Sequence, residues 1–268
     1  MTDTSNVIVT ITGPSGSGKT VLSHLLRDRG MKDMVSTTTR SPRQGEKDGR
    51  DYHFVTREQF HKDLENGKFM ENVEYNGVLY GVSVQEAELA FELNRPAVLV
   101  AEPHGVEQVY KGAHERGWEC FRVFVDNPAE LLVGRLFNRF LIDVGHCGFS
   151  DDEVSAFEPW ISQALVLANQ KSDGQHMHDV LYDFARSKNA SIENIEAQVA
   201  ASAKRLQAFY YEQENWVKPA LDASKHLYDY ITPTFNATVQ NSIVEDVLNQ
   251  VSILQSNNEK KNKKGRHL

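Results

Sequence analysis

Eight residues, GPSGSGKT from Gly13 to Thr20, constrain this chain more than any other stretch. They fit the pattern G-x-x-x-x-G-K-[S/T]. A β-branched run, VIVTIT (Val7–Thr12), precedes them, and helix-forming sequence near Lys19–Arg29 follows. A strand, a glycine-rich loop and a helix in that order is the context the pattern requires. Glycines 13, 16 and 18 let the backbone curl so that several N–H groups point inward. The helix start adds partial positive charge. Lys19 then reaches the outer phosphates, and the hydroxyl of Thr20 is placed to ligate magnesium. Gly13, Pro14, Ser15, Gly16, Ser17, Gly18, Lys19 and Thr20 are therefore read as a cradle for a nucleoside triphosphate, with Mg2+ at Thr20. The motif does not say where the phosphoryl group goes.

The rest of the chain supports an α/β reading. Apolar runs at Ala97–Ala101 and Cys120–Val125 read as further buried strands, in a chain where apolar strands alternate with helical stretches such as that near Lys19–Arg29. Such alternation predicts a central parallel sheet flanked by helices. Met34–Thr37 reads as another strand, Val84–Asn94 as a helix, and Ser242–Leu254 as a last helix. The section from 37 to 81 breaks the rhythm. Thr56-Arg-Glu-Gln59 is a capping box for a helix to about Asn66. Asn76-Gly77 joins Phe69–Tyr75 to Val78–Tyr80 as a hairpin, so this section is expected to be a small, mostly antiparallel insertion. Asn127-Pro128-Ala-Glu130 has the cap, the first-turn proline and the glutamate that open a helix.

With 268 residues the chain can bury a sizeable core. Its net charge of −8 argues against nucleic acid as a general partner, so any anion site must be a local concentration of positive groups. No apolar run approaches a membrane span, and no secretory signal is visible. The two cysteines, Cys120 and Cys147, make no disulfide framework, so a cytoplasmic setting is expected. His146, Cys147, His176 and His178 fit no closed zinc spacing.

A transfer of phosphate between nucleotides needs a second anion site. The run STTTRSPRQGEKDGRDYHF, residues 36–54, is too polar for a core. Arg40 and Arg43, three apart around Ser41-Pro42, can converge on one phosphate, which arginine forks grip bidentately. Tyr52 supplies a hydroxyl on a rigid ring. Ser36 and the following threonines are short groups within reach of a base or phosphate. Glu71 and Tyr80 stand on the two arms of the hairpin, and a carboxylate there can accept from the two adjacent donors of a guanine edge.

Together GPSGSGKT, VSTTTRSPRQGEKDGRDYHFV and KFMENVEYNGVLYG resemble the guanylate kinase family. The resemblance is strong over residues 7–81, fair to about 139 and fragmentary beyond. It implies a P-loop kinase that transfers the γ-phosphoryl of ATP to GMP or dGMP. By it, Ser36, Arg40, Arg43, Tyr52, Glu71 and Tyr80 form the monophosphate site. Arg135 and Arg139, spaced i and i+4 on one helix face, become lid arginines, and Arg205 is the candidate for a third. Lys19, Arg40, Arg135, Arg139 and Arg205 would then carry catalysis. The implied organisation is a core at 1–36 and 82–139, a monophosphate-binding subdomain at 37–81, an expanded helical lid at 140–227, a core strand and helix at 228–256, and a basic, disordered tail at 257–268. The partners implied are nucleotide substrates, neither membrane nor nucleic acid, with oligomeric state open.

The chain departs from the family pattern at two positions near the base. Val82 stands where a serine or threonine is usual, leaving Ser83 as the substitute donor. In VLVAEPHG two aspartates align with Val100 and Glu102, of which only Glu102 keeps a carboxylate. These departures hold two rival readings open: the same transfer to another base, or a non-catalytic binding module.

Overall fold

The computed structural model describes residues 6–42, 45–75, 77–128, 131, 132, 135, 136, 227–232 and 234–265. They fall in two compact units. The first comprises the chain to Gly13, Gly18–Val125 and the residues from Leu227 onward; the second comprises Pro14–Ser17 and the residues from Asp126.

In the first unit, β1 (Val7–Thr12) is buried along its whole length, as its β-branched sequence requires. It pairs in parallel with β7 (Ala97–Val100) on one side and β8 (Glu119–Val125) on the other. A two-residue β2 (Lys32–Asp33) and β9 (Tyr230–Thr232) complete a five-stranded parallel sheet in the order β2-β7-β1-β8-β9. The period-two alternation of β1 feeds two cores. Val7, Val9 and Ile11 pack with Leu22 and Leu26 of α1 (Lys19–Asp28) and with Ile243, Val244 and Val247 of α5 (Gln240–Gly265). Ile8 faces the other way, with Ala87 and Ala90 of α3 (Val84–Glu92) and Val106, Val109 and Ala113 of α4 (Pro103–Glu115). Both faces of the sheet are thus covered by helices, as the apolar strands predict.

A second sheet has the order β4 (His53–Phe54), β3 (Thr37–Thr38), β6 (Val78–Ser83) and β5 (Phe69–Tyr75). β5 and β6 form the expected hairpin around Gly77, whose φ of 76° suits glycine. β6 also pairs antiparallel with β3, which pairs in parallel with β4. Between β4 and β5, α2 (Arg57–Glu65) begins at the predicted cap: Gln59 N donates to Thr56 Oγ1 at 3.1 Å.

Three elements differ from the sequence reading. The strand expected at Met34–Thr37 is two short strands, β2 and β3, separated by the link Met34–Ser36, where the chain passes from one sheet to the other. Helix α4 was not expected, although proline in its first turn and buried Val106, Val109 and Ala113 are its signature. Helix α5 runs on to Gly265, through most of the stretch read as a basic tail; lysine and glutamate are good helix formers, and no proline interrupts them. Of the lid region expected at 140–227, all but Leu227 lies outside the described residues.

Candidate active site

The phosphate loop adopts the backbone its glycines permit. Gly13, Gly16 and Gly18 have φ of 148°, 81° and 100°. A Cβ at Gly18 would lie 2.5 Å from the ring of Phe235, so glycine is required there on steric grounds as well. Gly18 caps α1, whose first turn carries no acidic residue to oppose an anion. Lys19 Nζ donates to Gly13 O at 2.6 Å, which folds its ammonium back over the loop. Thr20 is exposed. Among the described residues no cluster of His, Cys, Asp and Glu forms a metal cage. An exposed hydroxyl without a cage suits an ion that keeps most of its waters, as Mg2+ does.

In the second unit, the loop tip Pro14–Ser17 is held from the segment after Asp126. The Asn127 amide donates to Ser17 O at 2.9 Å, and Arg135 Nη1 donates to Gly16 O and Ser17 O at 3.2 and 3.4 Å. Arg135 thus stands at the phosphate loop, on a helical segment. Arg139 and Arg205 lie outside the described residues.

The second sheet gathers most of the other predicted groups. Arg40 directs both terminal nitrogens at Glu46, Nη1 to Oε2 and Nη2 to Oε1, each at 2.7 Å. Its guanidinium lies 4.8 Å from the Tyr52 ring centroid and 5.6 Å from that of Phe54. Tyr52 and Tyr80 meet edge to face at 6.1 Å. The hydrogen bond with Glu46 raises the Arg40 pKa further above its ordinary range, so this charge is permanent. Glu46 was not anticipated; a partner six residues away across an irregular loop leaves no periodic signal. Arg43 lies outside the described residues.

The threonines do structural work. Thr38 Oγ1 donates to Leu79 O at 3.2 Å, and Leu79 N donates to Thr39 Oγ1 at 3.0 Å, which ties β3 to β6. Ser36 sits in the link before β3, where its carbonyl accepts from His53 N.

Glu71 is 6% exposed, and among the described residues no donor reaches its carboxylate. Burial, with the nearby Glu102 carboxylate adding to it, pushes its pKa up to about 7. Helix α4 shapes this site. Gln108 exchanges two hydrogen bonds with the Asn72 backbone (3.1 and 3.2 Å), and Gly105 leaves room for the carboxylate, since a Cβ there would lie 2.9 Å from Glu71 Oε2. Val82 pairs with Glu71 across the hairpin and is fully buried. Ser83 and Glu102 sit at the N-caps of α3 and α4, and neither side chain caps its helix.

A parallel sheet with a glycine-rich phosphate loop after β1, joined to a mixed side sheet, defines the P-loop α/β class. The guanylate kinase family model matches residues 5–138, half of the chain. Guanylate kinase of Schizosaccharomyces pombe is 47% identical over 104 residues, 38% of this chain and 52% of that protein. Guanylate kinase of Sus scrofa is 42% identical over 135 residues, 49% of this chain and 66% of that protein. The chain thus spans only about half to two-thirds of the length of these relatives. A crystal structure of guanylate kinase from Anaplasma phagocytophilum shares the fold, with a TM-score of 0.52 at 18% identity, over 94% of this chain and 87% of that one. This chain belongs to the guanylate kinase family.

Proposed function

We propose that the chain is a nucleoside monophosphate kinase that transfers the γ-phosphoryl group of ATP to GMP or dGMP, giving ADP and GDP or dGDP. One observation carries the reading: a buried carboxylate, Glu71, that no described donor reaches, in the sheet whose strand β3 leads into an arginine lying over the rings of Tyr52 and Phe54. The guanine edge presents the two adjacent donors that such a carboxylate lacks. The acceptor phosphate supplies the anion that Arg40, Arg43, Tyr52 and Tyr80 would hold, with Ser36 and Ser83 at the margins of the site and Glu102 beside the base.

The loop Gly13–Thr20 would hold the ATP phosphates, with Lys19 on the transferred group and Thr20 on magnesium, which supplies charge neutralisation between the phosphates. Arg135 stands at the loop already; Arg139 and Arg205 would complete the lid within an expansion at 140–227. The acceptor oxygen is already anionic, so no general base is needed. Positioning and fixed positive charge carry the rate. No described helix is long and apolar enough to cross a membrane.

The second reading is transfer to a different base, favoured by the fully buried Val82 opposite Glu71, which offers a base carbonyl no donor. Steady-state kinetics with each common ribo- and deoxynucleoside monophosphate tests both readings. GMP and dGMP are expected to have the highest kcat/KM. Activity on another monophosphate with none on these two would establish the second reading. Loss of all turnover in Lys19→Ala would exclude a purely non-catalytic binding module.

A further inference from the structure

The link between the two sheets converges on one side chain outside the nucleotide sites. Glu86 lies in the first turn of α3 and is 5% exposed. Its Oε2 accepts from Val35 N at 2.9 Å, within the link Met34–Ser36. Its Oε1 lies 2.8 Å from His53 Nε2 in β4, and a carboxylate at that distance requires Nε2–H as donor. Lys32 Nζ of β2 stands 3.9 Å from Oε2. One carboxylate therefore binds the parallel sheet, the crossing segment and the far edge of the second sheet.

The neighbours of these donors give the contact its meaning. Val35 precedes Ser36, and His53 follows Tyr52. β4 has two residues and few other ties: His53 N to Ser36 O, Val55 N to Thr38 O, and Phe54 N to Asp48 Oδ1. Tyr52 in turn contacts Tyr80 and lies under Arg40. A strand held so lightly depends on each tie for its position. A buried carboxylate costs stability unless it is paired and hydrogen-bonded, and both hydrogen bonds of Glu86 run to the frame of the acceptor-phosphate site.

We propose that Glu86, acting through His53, is a positioning residue for the acceptor nucleotide: the Glu86–His53 contact fixes β4 against the crossing segment and so sets Tyr52 and Arg40 for the acceptor phosphate. The inference rests on the acceptor site described under the proposed function. It predicts an effect confined to one substrate, because the hydrogen bonds of Glu86 run to Val35 and His53, the neighbours of Ser36 and Tyr52 in the acceptor site.

The experiment compares the wild-type chain with Glu86→Ala, His53→Ala and His53→Gln, measuring kcat, KM for GMP and KM for ATP. Glu86→Ala and His53→Ala are expected to raise KM for GMP about tenfold, with KM for ATP within twofold of wild type. His53→Gln, whose amide nitrogen reaches nearly as far as the imidazole Nε2, is expected to recover most of the loss. A general structural lesion would instead move both KM values and would not be relieved by glutamine. Should Glu86→Ala fail to fold, the half-exposed His53 pair decides alone. KM for GMP within twofold of wild type in His53→Ala, or equal increases in both KM values, overturns the proposal. A wild-type chain that turns over no monophosphate overturns the functional reading and this inference together; a wild type active on GMP with indifferent variants overturns this inference alone.

Discussion

At the scale of single residues, Glu71 is where stability and function conflict. A carboxylate 6% exposed with no described donor destabilises the empty site whenever it is charged. Its pKa rises from 4.5 to about 7, so the folded protein binds a proton more tightly than the unfolded chain. By linkage, stability falls as pH rises between those values and is lowest above them. Glu71→Gln removes this dependence. The variant is expected to be about 1–3 kcal/mol more stable than wild type at pH 8 and equal to it near pH 4.5, by denaturant unfolding at the two pH values. It is also expected to lose most acceptor binding, because an amide offers the base one acceptor where the carboxylate offered two. Equal stability differences at both pH values would show that the gain has nothing to do with ionisation. Gly18 is a constraint of another kind: φ of 100° and the Phe235 ring at 2.5 Å both exclude a Cβ. Gly18→Ala should cost about 2 kcal/mol or more in thermal or denaturant unfolding, and trimming Phe235 should restore only the steric part.

Elements differ in how plainly the residues announce them. β1, the phosphate loop, the Asn76-Gly77 hairpin and the Thr56 cap each rest on local chemistry, and local chemistry is legible in a sequence. The two-residue strands β2, β3 and β4 exist only because other strands pair with them, so no periodicity marks them. The pairing of Arg40 with Glu46, the Glu86 contacts and the approach of Gly105 to Glu71 are products of tertiary folding. The residues proposed for the acceptor site can therefore be read from the sequence, whereas the contacts that support them cannot. Helix α4 shows the consequence. Gly105 lies within it, where alanine is the better helix former by about 1 kcal/mol. A Cβ there would lie 2.9 Å from Glu71 Oε2, the far end of a flexible side chain, and at ordinary contact distance, 3.4 Å, from Ala101 Cβ. Gly105→Ala should thus be neutral or slightly stabilising in unfolding experiments, yet raise KM for GMP several-fold by displacing the carboxylate proposed to read the base. Marked destabilisation would mean that the packing around Glu71 cannot yield.

At the scale of the whole molecule, the question is whether two anion sites in one chain act as separate ligand sites. Lys19 at the start of α1 and Arg40 in the bend after β3 belong to the same compact unit, yet they stand on different elements. A ligand that binds only the folded state stabilises it by about 2.7 kcal/mol at one hundred times its Kd, or roughly 2–4 °C in melting temperature per kcal/mol for a chain of this size. Arg40→Ala would confuse this measurement if used alone, because it strips Glu46, 19% exposed, of its arginine. The expected loss from that is about 1–3 kcal/mol before any ligand is added. The double variant Arg40→Ala with Glu46→Ala removes both charges and is expected to recover most of the loss. In that background GMP should no longer raise the melting temperature, while ATP with magnesium should raise it as in wild type. Lys19→Ala should show the converse, a normal shift with GMP and a reduced one with ATP, with turnover abolished. If either variant abolishes both shifts, the two pockets are one thermodynamic site, and the separation of donor and acceptor on which in-line transfer depends does not hold for this chain.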